Sequence, residues 1–172
     1  MYVPVLQEPR PLERRDDRSR FQSGNSEIDD WFHRFAWQNH RAGNARVFVT
    51  TQEPETLGFY ALSMGAVQRS KLPDALKPSQ RPEPCPVLLL ARLAVDQRAQ
   101  GRGIGAALLK DALLRAYKLS NEVGFAALLV HCANDQAREF YLSQSSHFVP
   151  CPGAENHLML PLRAMREFID AL

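Results

Sequence analysis

The sequence contains few cysteines and almost no excess of charge of either sign. Its three cysteines, Cys85, Cys132 and Cys151, show no C-x-x-C spacing, so the pattern indicates neither a disulfide framework nor a zinc site, and we expect no metal. We interpret them as free thiols in a reducing cytosol. With 21 Lys and Arg against 19 Asp and Glu, the net charge of +2 permits an anionic partner without requiring one.

Long apolar runs are also missing. No stretch approaches membrane-spanning length, and the first residues, which include Glu8, Arg10 and Glu13, contain no apolar signal core. We therefore expect a cytoplasmic protein that does not enter a membrane. A chain of 172 residues with 45% hydrophobic content is long enough to bury one core, so we predict a single domain over residues 1–172.

The most informative stretch is VLLLARLAVDQRAQGRGIGA, residues 87–106. Its apolar first half, interrupted only by Arg92, is typical of a strand buried on both faces. After Gly101 and Gly103, apolar residues recur at three- and four-residue spacing as far as about Leu119, which predicts an amphipathic helix. Free N–H groups at a helix start favour anions, and glycines let a phosphate approach the backbone. The sequence therefore predicts a phosphate-binding turn between a strand and a helix.

Two alternatives apply to this turn. The pattern Gly101-x-Gly103-x-x-Ala106 satisfies the dinucleotide-binding fingerprint, which is weak evidence by itself. That fingerprint places its first glycine directly after the strand and a carboxylate at the end of the next one, whereas here residues 96–100 intervene and the next strand, residues 125–132, ends without a carboxylate. A nicotinamide site is therefore a poor interpretation, and an ordinary glycine-rich connection remains the other alternative.

The rest of the chain alternates strand and helix patterns. We expect further strands at residues 2–6, 46–52, 57–67, 147–149 and 157–162, and helices at residues 26–42, 135–142 and near the C-terminus. The order predicts a mixed α/β sheet with helices on both faces, in which strands 87–96 and 125–132 run parallel. The proline-rich loop 69–86 is long for a compact domain, which favours a functional role.

The first of these helices has recognisable ends. Ser26 followed by Asp29 resembles a capping box, and Gly43 is placed to end the helix. One apolar stripe, which includes Trp31 and Phe35, predicts a single continuous amphipathic helix. For the second helix, Asn134 offers an N-cap.

Arg98-x-x-Gly101-x-Gly103 matches the loop of the GNAT acetyltransferases that follows the fourth strand and binds the pyrophosphate of acetyl-CoA. The stretches DDWF, ARLAVD and VHCANDQAREFY resemble the GNAT toxins of bacterial toxin–antitoxin pairs, and the resemblance extends over nearly the whole chain from about Phe21. Those enzymes acetylate the free amine of an amino acid esterified to tRNA. The resemblance implies the GNAT fold, a mixed and mostly antiparallel sheet with splayed central parallel strands and helices on both faces.

The resemblance also implies a set of site residues. The backbone of Leu93, Ala94 and Val95 would pair with the pantetheine arm, and the N–H near Val95 would polarise the thioester carbonyl. Asn134 would contact the cofactor, and Tyr141 takes the place of the catalytic tyrosine, which donates a proton to the coenzyme A sulfur. The residues that would hold the pyrophosphate are Arg98, Gln100, Gly101, Arg102, Gly103, Ile104 and Gly105.

Two observations complicate the end of the proposed site. The family usually follows its tyrosine closely with a Gly-Phe turn, whereas residues 142–148 are longer and contain no glycine. The pattern alone favours Tyr141 as an amphipathic-helix residue that fills the core beside Phe140, and it is the family resemblance that favours the catalytic role. We interpret His131, which ends an apolar strand, as a packed residue and assign it no role.

The implied partners are acetyl-CoA as co-substrate, aminoacyl-tRNA, a small ribbon–helix–helix antitoxin and a second copy in a homodimer. The same chemistry on a small-molecule or protein amine, and a non-catalytic acyl-CoA-binding module, remain alternatives. Basic side chains are candidates to lie near the acceptor mouth, although scattered solubilising charge explains them equally well. They are Arg34, Arg41, Arg46, Arg69, Lys71, Lys77, Arg81 and Arg92.

Overall fold

A computed structural model describes residues 1–77 and 80–171. The strands of this part of the chain are β1 (Arg10–Pro11), β2 (Arg46–Gln52), β3 (Glu55–Val67), β4 (Cys85–Val95), β5 (Ala127–His131), β6 (Val149–Cys151) and β7 (Ala154–Pro161). Its α-helices are α1 (Ser26–Arg34), α2 (Ala36–Ala42), α3 (Ile104–Leu119), α4 (Asp135–Gln144) and α5 (Leu162–Asp170). Among these residues no helix is long and apolar enough to cross a membrane.

The seven described strands form one sheet in the order β1-β2-β3-β4-β5-β7-β6. Strands β4 and β5 run parallel, with Leu88–Leu90 opposite Leu128–Val130, whereas β5 pairs with β7 in antiparallel fashion. The predicted mixed and mostly antiparallel α/β fold with a central parallel pair is therefore confirmed. The parallel ladder ends at Leu90, and β4 continues from there to Val95.

The described chain divides into two compact units. The first comprises residues 1–63 and 92–111, and the second comprises residues 64–91 and 112–171. The prediction of a single domain over residues 1–172 is not tested by this division and stays a prediction. Residue 172 lies outside the described residues.

The core of the first unit is a cluster of aromatic rings. Phe32 of α1 stacks on Phe59 of β3 with ring centroids 4.0 Å apart, and Phe21 meets these two rings edge-on at 4.9 Å and 5.5 Å. All three side chains are almost completely buried. Such ring pairs contribute about 0.5–1.5 kcal/mol each beyond the area they bury. The aromatic positions of the sequence therefore attach α1 to the sheet.

Helix α1 is capped by a different residue from the one predicted. The side chain of Asn25 accepts a hydrogen bond from the N–H of Ile28 at 3.1 Å, so Asn25 is the N-cap. The predicted capping box of Ser26 and Asp29 is wrong, because the Asp29 carboxylate instead accepts from the backbone and hydroxyl of Ser23. Asp29 thereby fixes the turn that precedes the helix.

The predicted continuous helix is interrupted. Phe35 has non-helical backbone angles, separates α1 from α2 and is 37% exposed, so its place in the apolar stripe is wrong. Because the backbone of Phe35 has φ −120° and ψ −17°, its side chain does not follow the helical spacing of the stripe. Gly43 ends α2 with φ +78°, as predicted, in a conformation that glycine adopts without strain.

Two predicted strands are displaced. Residues 2–6 form no strand, and β1 lies at Arg10–Pro11, opposite Val49 and Phe48. Pro4 and Pro9 each remove a backbone donor, which explains why the pairing of this segment with β2 is discontinuous. The strand predicted at residues 147–149 begins at Val149 and ends at Cys151. The hairpin of β2 and β3 and the terminal helix α5 are confirmed.

The second unit has its own apolar core. All three cysteines are buried and unpaired, as predicted. The proline-rich loop contains two short 3₁₀ turns, Arg69–Lys71 and Asp74–Leu76, and β4 starts at Cys85, before the predicted end of the loop. Pro78, one of the loop prolines, lies outside the described residues. Core members include Leu72, Leu76, Cys85, Val87, Ala127, Leu129, Cys151 and Met159.

Candidate active site

The loop after β4 is organised by a buried carboxylate. Asp96 is 0% exposed and accepts four hydrogen bonds. The backbone N–H of Gln22 donates at 3.0 Å and that of Arg98 at 2.8 Å. The Arg98 side chain donates from Nε at 2.8 Å and from Nη2 at 3.0 Å. Sequence reasoning missed Asp96, whose signal is an acidic residue that directly follows a buried strand.

Arg98 is therefore held by protein groups. Its Nη1 also lies 3.2 Å from a carboxylate oxygen of Glu55, so two acids share its guanidinium. These hydrogen bonds raise the pKa of Arg98 above its ordinary value. In the described chain, Arg98 stabilises the turn through its contacts with Asp96 and Glu55. Its predicted contact with the pyrophosphate of acetyl-CoA stays a prediction.

Further contacts tie the loop to the segment before α1. The amide of Gln100 donates to the carbonyl oxygens of Ser23 at 2.9 Å and Val95 at 3.0 Å. The backbone N–H of Gln97 donates to the carbonyl of Gln22 at 2.8 Å. The loop and this segment therefore form one hydrogen-bonded structure.

The start of α3 presents unused backbone donors. Gly101 and Gly103 have φ of +80° and +79°, and a Cβ at either would meet nothing within 4 Å. The first backbone hydrogen bond of the helix joins the N–H of Ala107 to the carbonyl of Gly103. Within the described residues, the N–H groups of Ile104 and Gly105 find no acceptor. Exposed glycines beside free helix N–H groups suit a diphosphate.

Tyr141 is buried on α4 in the second unit. Only 3% of the residue is exposed, and its ring lies 5.3 Å from that of Phe140 and 5.7 Å from that of Phe148. No hydrogen-bond partner of its hydroxyl is found among residues 1–77 and 80–171. Burial, followed by the proximity of Cys132, raises the pKa of Tyr141. At neutral pH the phenol is therefore protonated and carries a proton that it can donate.

Two other polar residues of this unit, Asn134 and His131, were also assigned from the sequence, and the structure agrees with the prediction for only one of them. Asn134 is the N-cap of α4, as predicted, and its side chain accepts from the N–H of Ala137 at 2.8 Å. Its contact with the cofactor stays a prediction. His131 is not packed as predicted: it is exposed at the end of β5 and stacks on His157 of β7 with ring centroids 4.1 Å apart. Cross-strand pairing of these two residues explains the stack.

With the geometry described, the chain can be compared with known proteins. A model of the acetyltransferase (GNAT) domain matches residues 43–144, which is more than half of the chain. The chain belongs to the GNAT family. It is an N-acetyltransferase with acetyl-CoA as acyl donor.

Within the GNAT family, the similarity reaches toxins. A Mycobacterium tuberculosis protein named tRNA-acetylating toxin is 40% identical over 161 residues, which cover 94% of this chain and 95% of that protein. The structure of AtaT complexed with acetyl-methionyl-tRNAfMet is 28% identical with a TM-score of 0.85, covering 95% of this chain and 98% of that one. A mutant AtaT toxin bound to the C-terminus of the antitoxin AtaR and acetyl-CoA is 26% identical with a TM-score of 0.79, covering 96% and 99%.

The basic residues predicted to lie near the acceptor mouth of this GNAT enzyme have different surroundings. Arg34, Arg69 and Lys77 each lie within 4.0 Å of an acidic side chain on the surface. Arg46 donates to the carbonyl of His40. Arg92 has a different environment, because its guanidinium lies over the ring of a tryptophan.

Proposed function

We propose that the chain is a toxin that acetylates the free α-amine of aminoacyl-tRNA and so removes charged tRNA from translation. The observation that carries the proposal is the similarity to a tRNA-acetylating toxin along almost the full length of both chains. The acceptor amine supports it chemically. An α-amine has a pKa of about 7.7–8.0, against about 10.4 for lysine, so a useful fraction is neutral at physiological pH without a dedicated base.

In this proposal the loop after β4 binds the donor. The N–H groups at the start of α3, including those of Ile104 and Gly105, bind the diphosphate of acetyl-CoA, and the exposed backbone of Gly101 and Gly103 allows close approach. The hydrogen bonds between the Arg98 side chain and the Asp96 carboxylate stabilise the conformation of this turn. The pantetheine arm pairs with the backbone of Leu93, Ala94 and Val95, and Gln100, Arg102 and Asn134 complete the donor site.

The reaction is an acyl transfer. The neutral amine attacks the thioester carbonyl, a backbone N–H of β4 stabilises the oxyanion, and the carbon–sulfur bond breaks. The Tyr141 phenol gives its proton to the departing thiolate, and the new amide loses a proton to solvent, which returns a proton to Tyr141 through the medium. Burial raises the pKa of Tyr141, so the phenol is protonated at neutral pH and has a proton to give, but the same shift makes it a weaker acid, and its transfer depends on the thiolate forming beside it.

Incubation with acetyl-CoA and a mixture of aminoacyl-tRNAs tests the proposal. After nuclease digestion, mass spectrometry is expected to find N-acetylaminoacyl-adenosine for one or a few amino acids. A matched reaction with uncharged tRNA and free amino acids identifies the ester-linked amine as the acceptor. Turnover of small-molecule or protein amines with no acetylated aminoacyl-adenosine would overturn the proposal in favour of another amine substrate.

We also propose the assembly that this function requires. A cytoplasmic toxin of this kind needs a neutralising partner, here a small ribbon–helix–helix antitoxin, and a homodimer as its active form. The structure of the AtaT mutant bound to the C-terminus of the antitoxin AtaR supports the proposal of an antitoxin partner. Expression of the chain alone is expected to arrest growth, and co-expression of an adjacent small gene product is expected to restore it. Sedimentation of the purified chain tests the dimer.

A further inference from the structure

Arg92 is an isolated cation on the central strand of the sheet. It is the residue that interrupts the apolar sequence of β4, and it is half-buried. Its guanidinium carbon lies 4.2 Å from the centroid of the Trp31 ring. Among residues 1–77 and 80–171, no group forms a hydrogen bond or an ion pair with this guanidinium. The stack on Trp31 is thus the contact that holds it.

The stack continues into the core of the first unit. Trp31 lies parallel to Phe59 with centroids 6.2 Å apart, and Phe59 stacks on Phe32. Ala94, two residues after Arg92 on β4, belongs to the same cluster, so both residues lie on the strand face that α1 covers. Arg92 therefore lies at the end of a stack of three aromatic rings, Trp31, Phe59 and Phe32. Its guanidinium is oriented by contact with the Trp31 ring.

The position of the Arg92 guanidinium lowers the stability of the fold unless an anion binds to it. Burial lowers the pKa of Arg92, and the charge of Glu27 only partly opposes this effect. A half-buried charge without a hydrogen-bonded partner costs stability, whereas a hydrophobic residue would fit an apolar strand. A stacked guanidinium leaves the donors on its edge free, and their fork matches two phosphate oxygens.

We propose that Arg92, held flat by Trp31, binds a backbone phosphate at the acceptor end of the tRNA substrate and so places the aminoacyl ester at the donor thioester. The inference rests on the proposed function. Arg92 lies three residues before Val95, on the order of 10 Å along an extended strand. In an aminoacyl-tRNA the ester-linked amine and the nearest phosphate are separated by one ribose, which is a comparable span. Trp31 is a positioning residue in this scheme, because it acts through Arg92.

Steady-state kinetics of Arg92→Gln, Trp31→Leu and Glu27→Gln test the inference, with Arg163→Gln as the matched control. Arg163 is an exposed arginine of α5, so its substitution removes the same charge. For Arg92→Gln we expect kcat/KM with aminoacyl-tRNA to fall about 30-fold, the equivalent of one lost charge-assisted hydrogen bond. The slope of log KM against log salt is expected to fall by about one, because one phosphate contact is lost. The KM for acetyl-CoA is expected to stay unchanged.

The other variants separate a phosphate contact from a structural effect. Removal of the Glu27 charge is expected to lower the KM for aminoacyl-tRNA about twofold, since a nearby acid repels the phosphate. Trp31→Leu is expected to raise this KM, Trp31→Phe to restore it, and the Trp31→Leu/Arg92→Gln double variant to be no worse than Arg92→Gln alone. Equal KM values and salt slopes for Arg92→Gln and Arg163→Gln would overturn the inference, as would a raised KM for acetyl-CoA in Arg92→Gln.

A second acceptor distinguishes this inference from the proposed function. Aminoacyl esters without phosphate, such as an amino acid methyl ester, are expected to react slowly and equally with the wild type and Arg92→Gln. If Arg92→Gln loses the same factor on the methyl ester as on aminoacyl-tRNA, the phosphate contact is refuted. If the wild type acetylates no aminoacyl-tRNA at all, the proposed function fails.

Discussion

Asp96→Asn is the sharpest test of how the donor loop is built. The substitution keeps the shape of the side chain but removes its charge and replaces one acceptor oxygen with an NH₂ group. Asp96 now accepts hydrogen bonds from the N–H groups of Gln22 and Arg98 and from two nitrogens of the Arg98 side chain. In the variant at least one of these donors faces another donor inside a fully buried site.

The size of the effect follows from these contacts. One hydrogen bond to a charged group contributes about 1.5–3 kcal/mol, and removal of one partner of a buried ion pair costs about 3–5 kcal/mol. The side chain of Arg98 is 39% exposed and keeps Glu55 as a second partner, so solvent and Glu55 reduce the penalty. We expect a loss of about 2–3 kcal/mol in the free energy of unfolding. For a chain of this length the Tm then falls by about 5–10 °C.

The effect depends on pH in a defined direction. Burial by itself raises the pKa of Asp96, but the hydrogen bonds from Arg98 and from the N–H of Gln22 outweigh it, and the net pKa lies below its ordinary value. A lowered native pKa adds stability above the unfolded value of about 3.9, and that contribution is lost as pH falls through the native pKa. The difference between the wild type and Asp96→Asn is therefore expected to be constant near neutrality and to shrink below about pH 4.

Denaturant unfolding followed by circular dichroism, repeated from pH 3 to pH 8, measures both quantities. Asp74→Asn is the matched control, because the Asp74 side chain is 97% exposed and pairs only across the surface with Lys77. We expect this control to change stability by less than about 0.5 kcal/mol. An Asp96→Asn variant as stable as Asp74→Asn, or one whose deficit persists unchanged at pH 3, would refute the proposed bracing of the loop by Asp96.

Three further predictions concern catalysis and the donor site. Tyr141→Phe is expected to lower kcat about 100-fold or more with an unchanged KM for acetyl-CoA, and unchanged kcat in a stopped assay would remove Tyr141 from the mechanism. Gly103→Ala is expected to raise the KM for acetyl-CoA and to lower the free energy of unfolding by about 1–2 kcal/mol, because alanine is strained at φ +79°. Gly124→Ala is the control and is expected to show neither effect, since a Cβ there meets nothing within 4 Å and φ is not positive. In the wild type kcat/KM is expected to rise with pH through the pKa of the substrate amine and then level, because the raised pKa of Tyr141 places its deprotonation above about pH 10; a decline between pH 8 and pH 9 would contradict this.

The central strand, the turn and α3 were predictable because their signals are local. The hydrophobic period changes from a continuous run to a helical spacing within residues 87–106, and the glycines stand at the change. The cap of α4 was equally local, since Asn134 directly precedes the helix and needs only the N–H of Ala137. At the start of α1 two cap candidates stood side by side, and the choice of Asn25 over Ser26 depended on Asp29 turning back to Ser23.

Contacts between distant parts of the chain could not be predicted in the same way. Asp96 and Gln22 are separated by 74 positions, so nothing in the local pattern shows that this carboxylate is buried with a backbone donor beside it. The stack of Arg92 on Trp31 joins residues of a strand and a helix that meet only in the folded chain. His131 was misplaced for the same reason: its exposure depends on its pairing with His157 at the end of β5.

The two arginines beside the donor strand lead to a reinterpretation of the GNAT loop in this chain. Arg98 stands in the phosphate-binding motif, yet Asp96 and Glu55 already occupy its guanidinium. Arg92 stands outside the motif, yet among the described residues its guanidinium forms no ion pair within 4.0 Å, and only the more distant charge of Glu27 acts on it. If the charge of Arg98 is used to hold the turn, we expect the diphosphate of acetyl-CoA to be bound mainly by the backbone N–H groups of α3, with glycines at the two positions of positive φ leaving that backbone open. In the proposed scheme Arg92 is then a cation on the donor strand that is available for a second anionic substrate.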